Sequence, residues 1–311
     1  MRVVFFGTPD FAVESLDAIM QSARHEVAAV VTVPDRQAGR GQKLIYSAVK
    51  QYALDHNLPL MQPERLRDEA FLEALQALHA DIFVVVAFRM LPEVVWNMPP
   101  YGTFNLHASL LPRYRGAAPI NHAIINGEHE TGVTTFLLNH HIDEGAILLQ
   151  ESTPISDDDT AGTLHDRLAA MGRELVVRTL DGLADGSLLP HPQKGTPCPA
   201  PKIFKEDCLI DFNQSCRQVV DFIRGLSPYP AAILQLRSPK GDIVPFKIYR
   251  AKPVIGLKSA PKTLVCDGKN VLKCAATDGF VEILELQMAG KKKNSIEDFL
   301  RGNNVSDWEL I

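Results

Sequence analysis

DIFVVVAF, residues 81–88, is a nearly unbroken run of β-branched and apolar residues. A strand with one wet face alternates apolar and polar positions, whereas a strand covered on both faces reads as this one does. The same texture recurs on either side. VVFF (3–6) and EVAAVVTV (26–33) are buried strands, LPLMQ (58–62) is another, and GTFNLHA (102–108), VTTFLLNHHI (133–142) and AILLQES (146–152) extend the sheet. Helical segments alternate with them. Phe11, Leu16, Ile19 and Met20 form a stripe, and SAVKQYAL (47–54), DEAFLEALQALHA (68–80) and TLHDRLAAMGRELVVRTLDGL (163–183) follow. Thr8 and Pro9 predict the first helix start, with Thr8 as cap and Pro9 in the first turn. Strands alternating with helices imply an α/β fold with a parallel-rich sheet wound on both faces.

The texture changes near residue 186. LLPHPQKGTPCPAPKI carries five prolines and no periodicity, as a linker does. A short helix, CRQVVDFIRGL (216–226), comes next. Then AAILQLR, VPFKIYRAKPV, KTLVC, NVLKCAA and FVEILELQ are separated by turn signals, the pattern of a small β-barrel or curled sheet. The expected division is 1–188, a linker over 189–204, and 205–311.

No apolar run approaches the ~20 residues of a membrane-spanning helix. The five cysteines, Cys198, Cys208, Cys216, Cys266 and Cys274, show no C-x-x-C spacing, so neither a disulfide framework nor a metal site is expected. Reduced thiols fit a cytoplasmic address. Residues 1–201 carry net charge −9 and residues 202–311 carry +4, so the second half could meet a polyanion.

Asn105 and His107 stand two apart on one strand, so both side chains leave the same face. They lie at the carboxyl end of that strand, where open α/β sheets place ligands. The plain alternative is a pair satisfied by nearby backbone. Asp143 ends the next apolar segment and reaches His107 if the two strand ends adjoin; alone, Asp-Glu-Gly is an ordinary turn. A Ser109–His107–Asp143 hydrolase triad lacks the G-x-S-x-G elbow. His140 and His141 are adjacent and point apart on a strand, against a metal site. FGTPDFA lacks G-x-G-x-x-G, against a dinucleotide site. PDRQAGRGQKLIYSAVK (34–50) holds Arg36, Arg40, Lys43 and Lys50 against Asp35, a net +3, and reads as a basic loop that contacts phosphate or as a solvated one.

FNLHASLLPRYRGAAPI (104–120) closely resembles the signature of the folate-dependent formyltransferases, and HIDEGAI (141–147) resembles their aspartate segment. The likeness runs from end to end. FGTPDFA, VPDRQAGRGQKL, ETGVT and APKIFKEDCLIDF resemble the members of that family that act on methionyl-tRNA. One departure stands out: AFRMLP (87–92) is a residue shorter than the usual AYGLILP, with Arg89 near the usual glycine. The resemblance implies a Rossmann-like catalytic domain that uses 10-formyltetrahydrofolate as co-substrate without a metal, followed by an OB-like barrel that helps grip tRNA. It places catalysis on Asn105, His107 and Asp143. It places folate contacts on Ser109, Leu110, Leu111 and Pro112, with Phe88, Arg89 and Leu91. The expected tRNA contacts are Arg36, Arg40, Lys43, Lys291, Lys292 and Lys293. The implied reaction formylates the α-amine of methionyl initiator tRNA for translation initiation, by a cytoplasmic monomer that engages no membrane. Transfer to an amino-sugar nucleotide or glycinamide ribonucleotide, folate hydrolysis, and non-catalytic RNA binding are the alternatives.

Overall fold

The computed structural model describes residues 1–38, 43–256 and 259–311. The first strand, β1 (Arg2–Gly7), is buried from Val3 onward, as an all-apolar run requires. Gly7 is obligatory at its end: a Cβ there would stand 2.7 Å from the Phe5 ring and 2.8 Å from Ala12. Helix α1 (Asp10–Gln21) starts one residue later than expected. Pro9 is its cap, in an extended conformation, and Thr8 Oγ1 is buried without a hydrogen-bond partner. Asp10 supplies what Thr8 does not, its carboxylate accepting from Phe11 N at 3.0 Å in the first turn.

The chain continues through β2 (Glu26–Val31), the small pair β3 (Arg36–Ala38) and β4 (Lys43–Ile45), α2 (Ala48–Asp55), β5 (Leu60–Met61), α3 (Glu69–Gln76), β6 (Ile82–Val86), α4 (Glu93–Trp96), β7 (Thr103–His107), the short β8 (Arg115–Gly116) and α5 (Pro119–Ile125). Next come β9 (Glu130–Leu137), β10 (Ile147–Pro154), α6 (Ala161–Ala184) and the short β11 (Pro199–Ala200). The main sheet runs β10-β9-β7-β6-β1-β2-β5. β1 pairs in parallel with β2 and β6, β6 with β7, and β2 with β5. β9 is antiparallel to β7, with Phe104 opposite Leu137 and His107 opposite Thr134. The sheet is therefore mixed at one side, a common variation on a parallel core. Chain order reverses between β1 and β6, so their carboxyl ends, Gly7 and Val86, flank the crevice where such sheets bind ligands.

After α7 (Cys216–Gly225) come β12 (Ala232–Arg237), β13 (Ile243–Ile255), β14 (Leu264–Cys266), β15 (Leu272–Ala276), β16 (Gly279–Met288), β17 (Asn294–Ser295), α8 (Ile296–Gly302) and β18 (Glu309–Leu310). These strands form an antiparallel, nearly closed, barrel-like sheet around Phe246, Ile248, Leu272, Val281, Ile283 and Leu286. Helix α8 went unread in the sequence, although Ser295 caps it by accepting from Asp298 N at 3.1 Å.

Contacts group the chain into two compact units that interleave in sequence. One holds 1–116, 131–153 and 165–199; the other holds 117–130, 154–164 and 200–311. Helix α5 joins the second because it packs on α7: Asn121 Nδ2 donates to Gly225 O at 2.7 Å, and a Cβ on Gly225 would lie 2.6 Å from Ile125. The proline-rich stretch is tied down rather than loose. His191 bridges Ile147, and Cys198 O accepts from Arg115 N at 3.0 Å. Among the described residues no helix is long and apolar enough to cross a membrane.

Candidate active site

Strand register brings Asn105 and His107 to one face at the end of β7, and the two differ in their commitments. His107 is 6% exposed. Its Nε2 lies 2.8 Å from the carbonyl oxygen of Tyr114, which can only accept, so that nitrogen carries the proton. Its Nδ1 faces Asp143 Oδ2 at 3.8 Å, beyond hydrogen-bond length. Asn105 is half-buried, and among the described residues its amide has no hydrogen-bond partner. It is the polar group at this strand end left open to a ligand.

Asp143 arrives by an unexpected route. Because β9 runs antiparallel to β7, Leu137 lies beside Phe104, away from His107. The 138–146 connection folds back, and Asp143, at φ 55°, is carried to His107 on that loop rather than on a strand end. Its Oδ2 accepts from Gly116 N at 2.8 Å, and its carbonyl accepts from Gln193 Nε2 at 2.8 Å. Gln193 also holds Gly145 O at 2.9 Å and accepts from Arg115 at 2.7 Å. His107 and Asp143 thus pin two points, Tyr114 and Gly116, of one loop.

That loop depends on Thr134, which the sequence reading passed over. Thr134 Oγ1 donates to Ser109 O at 2.6 Å and lies 3.3 Å from Leu111 N, while Gln150 Nε2 donates to Leu111 O at 2.9 Å. Three threonines buried in one strand, Thr131, Thr134 and Thr135, were the available signal. Ser109 is fully buried and donates its hydroxyl to Arg113 O at 2.6 Å. The Leu111 side chain packs inside with Phe136 and Ile147. Any folate contact from Ser109 or Leu111 must therefore come from main chain. Leu110 and Pro112, with Arg113 and 194–198, line a separate cleft of about 450 Å³.

A formyl transferase family model matches residues 1–180, and a formyl transferase C-terminal domain model matches residues 202–304. The chain belongs to the formyl transferase family. A methionyl-tRNA formyltransferase of Bacteroides fragilis is 53% identical over 99% of this chain and 96% of its own length. The structure of an N-formyltransferase from Helicobacter canadensis, in complex with folinic acid and dTDP-3-aminofucose, aligns with TM-score 0.64 at 21% identity over 94% of this chain and 99% of that one. A glycinamide ribonucleotide transformylase from Symbiobacterium toebii aligns over 62% of this chain and 94% of its own, with TM-score 0.52 at 21% identity.

In this formyl transferase the other expected positions fall as follows. Phe88, Arg89 and Leu91 follow β6 at the crevice. Leu91 is 5% exposed and belongs to the core with Phe6, Phe83 and Val95. Arg36 is exposed on β3, which pairs with β4 so that Ala38 lies opposite Lys43. Arg40 lies outside the described residues. Lys50, counted with the basic loop, does not belong to it. It is 9% exposed and its Nζ meets Asp35 at 2.6 Å, so both charges are spent locally. Asp35, beside that ammonium, titrates below the usual carboxylate range. Lys291 and Lys292 are exposed at the β16–β17 turn, whereas Lys293 pairs with Glu285 at 2.8 Å and lies over the Tyr249 ring.

Proposed function

We propose that this formyl transferase moves the formyl group of 10-formyltetrahydrofolate onto the α-amino group of methionine carried by initiator tRNA. One observation carries the reading: identity above 50% to methionyl-tRNA formyltransferases runs through both domains. Identity to the sugar N-formyltransferase is 21%, which speaks to fold alone, and the glycinamide ribonucleotide enzyme leaves over a third of this chain unmatched. Residues 1–188 serve as the catalytic domain, 189–204 as the linker and 205–311 as the tRNA-gripping barrel, in a cytoplasmic monomer.

The chemistry is acyl transfer. The neutral amine attacks the formyl carbon, a C–N bond forms, charge gathers on the formyl oxygen, and the bond to N10 then breaks. The amine loses a proton and N10 gains one. Asn105, with its unspent amide, donates to the developing oxyanion. Asp143 takes the amine proton directly or through water. His107 holds the Tyr114 turn and faces Asp143; to donate to the oxyanion as well, its ring must release the Tyr114 carbonyl. No covalent enzyme intermediate is required.

The direct test is incubation with 10-formyltetrahydrofolate and charged initiator methionyl-tRNA. Formyl-methionine at the aminoacyl end is the expected product; formylation of an amino-sugar nucleotide instead would overturn the reading. Asp143→Asn keeps an oxygen for Gly116 N–H but removes the base, and lowers kcat about a hundredfold in single-turnover assays. A kcat within a factor of two would remove Asp143 from the mechanism. Arg40→Ala raises KM for tRNA by several times its effect on KM for folate, since a phosphate contact acts on the polyanion alone. Equal shifts in both constants would refute the basic-loop assignment.

A further inference from the structure

The turn that follows β6 is held by an unusual clamp. Ala87 has φ +47°, in the left-handed region that a Cβ disfavours. Two residues on, the Arg89 side chain reaches back to the segment after β5. Nη1 donates to Glu64 O at 2.8 Å and Nη2 donates to Pro63 O. Nε is buried without a partner. Among the described residues no carboxylate pairs with this guanidinium, and its desolvation lowers the pKa from the usual arginine value. The Phe88 ring lies 5.6 Å from it and stands edge-on to Phe6 in the core. The segment it grips, Met61–Arg65, forms one wall of a groove of about 660 Å³ completed by Asp68 and Phe71.

A guanidinium that is desolvated and neutralises no carboxylate contributes little through charge. What it supplies is geometry, because its planar fork spans two successive carbonyls, which a point donor such as lysine does not. The position is also where AFRMLP departs from the commoner family pattern, so the turn here is stiffened by a side chain from within itself.

We propose that Arg89 is a positioning residue: by clamping Ala87–Leu91 to Pro63–Glu64 it holds the main chain of that turn in the conformation that receives the folate, without itself touching the folate. This deepens the functional reading above and rests on it. The strained Ala87 and the clamp are coupled. Without the clamp the turn relaxes away from φ +47°, and a glycine at 87, which adopts that angle freely, lessens the loss.

Calorimetric titration of the full chain with tetrahydrofolate, which cannot react, separates the possibilities, alongside KM for tRNA and a thermal melt. Arg89→Ala is expected to weaken tetrahydrofolate binding about tenfold, because the turn is no longer held in its binding conformation. KM for tRNA is expected to stay unchanged. The double variant with Ala87→Gly is expected to recover part of the binding. If Arg89→Ala does not fold, Arg89→Lys, which keeps the charge and loses the fork, reads the same split between folate and tRNA. Unchanged folate binding, an equal loss toward tRNA, or no recovery with glycine would each overturn the clamp. Failure of the unmodified protein to bind tetrahydrofolate would overturn the folate reading as well.

Discussion

Asn105→Ala lowers kcat about 10²–10³-fold while the melting temperature hardly moves. The two halves of that outcome have separate causes. A preorganised donor aimed at a developing oxyanion is worth roughly 3–4 kcal/mol in the transition state and little in the ground state, so the loss falls on kcat. Stability is spared because the Asn105 amide, half-buried at the end of β7, makes no hydrogen bond with the described residues. His107→Ala behaves differently. It strips the buried Tyr114 carbonyl of its donor at 2.8 Å, so it costs about 1–3 kcal/mol of stability in addition to turnover. Single-turnover kinetics with calorimetry on both variants makes the comparison. An Asn105→Ala enzyme of normal turnover, or one that melts as His107→Ala does, contradicts the assignment.

Arg224→Ala destabilises the second unit by about 3–5 kcal/mol, the usual effect of removing one member of a buried ion pair. Arg224 is 7% exposed and Asp221 3%. Arg224 Nε donates to Asp221 at 2.7 Å, and Nη1 donates to the carbonyls of Ser156 at 2.9 Å and Asp159 at 3.1 Å. The substitution removes a hydrogen bond from each of those carbonyls and leaves Asp221 paired with Arg217, whose Nε is 3.2 Å away. Arg217 is itself held charged by Asp157 and Asp221, its pKa raised well above the ordinary arginine value. Arg237→Ala is the control. Its pair with Glu309 at 3.4 Å is largely exposed, and such pairs contribute about 0–1 kcal/mol. Urea unfolding followed by tryptophan and by far-ultraviolet dichroism measures both. Equal losses in the two variants would mean that burial of the Arg224 network carries no special weight.

Much of this molecule was readable before any coordinate. Residues 81–88 announced a strand covered on both faces, and β6 is buried along its whole length. Asn105 and His107 shared a face because strand periodicity allows nothing else. Ser47, Asp68 and Ser215 each cap a helix where local pattern put one. Other features had no local signature. Antiparallel pairing of β9 with β7 decides where Asp143 can come from, and pairing direction is a relation between distant segments. Lys50 counted as a loop cation until Asp35 was seen beside it. Helix α5 sits between two strands of the first unit in chain order yet groups with the second, through its packing on α7.

Hydrophobic period, capping residues and turn chemistry act over a few neighbouring positions, so they alone specified most of the strands, the longer helices and the polar pair at the end of β7. Which of those polar groups remains free to meet a substrate was settled by partners remote in the chain: the Tyr114 carbonyl and Asp143 occupy His107, and nothing described occupies Asn105. A hydrogen bond is made or withheld by three-dimensional proximity, and proximity across a folded sheet is not encoded in any short run of residues.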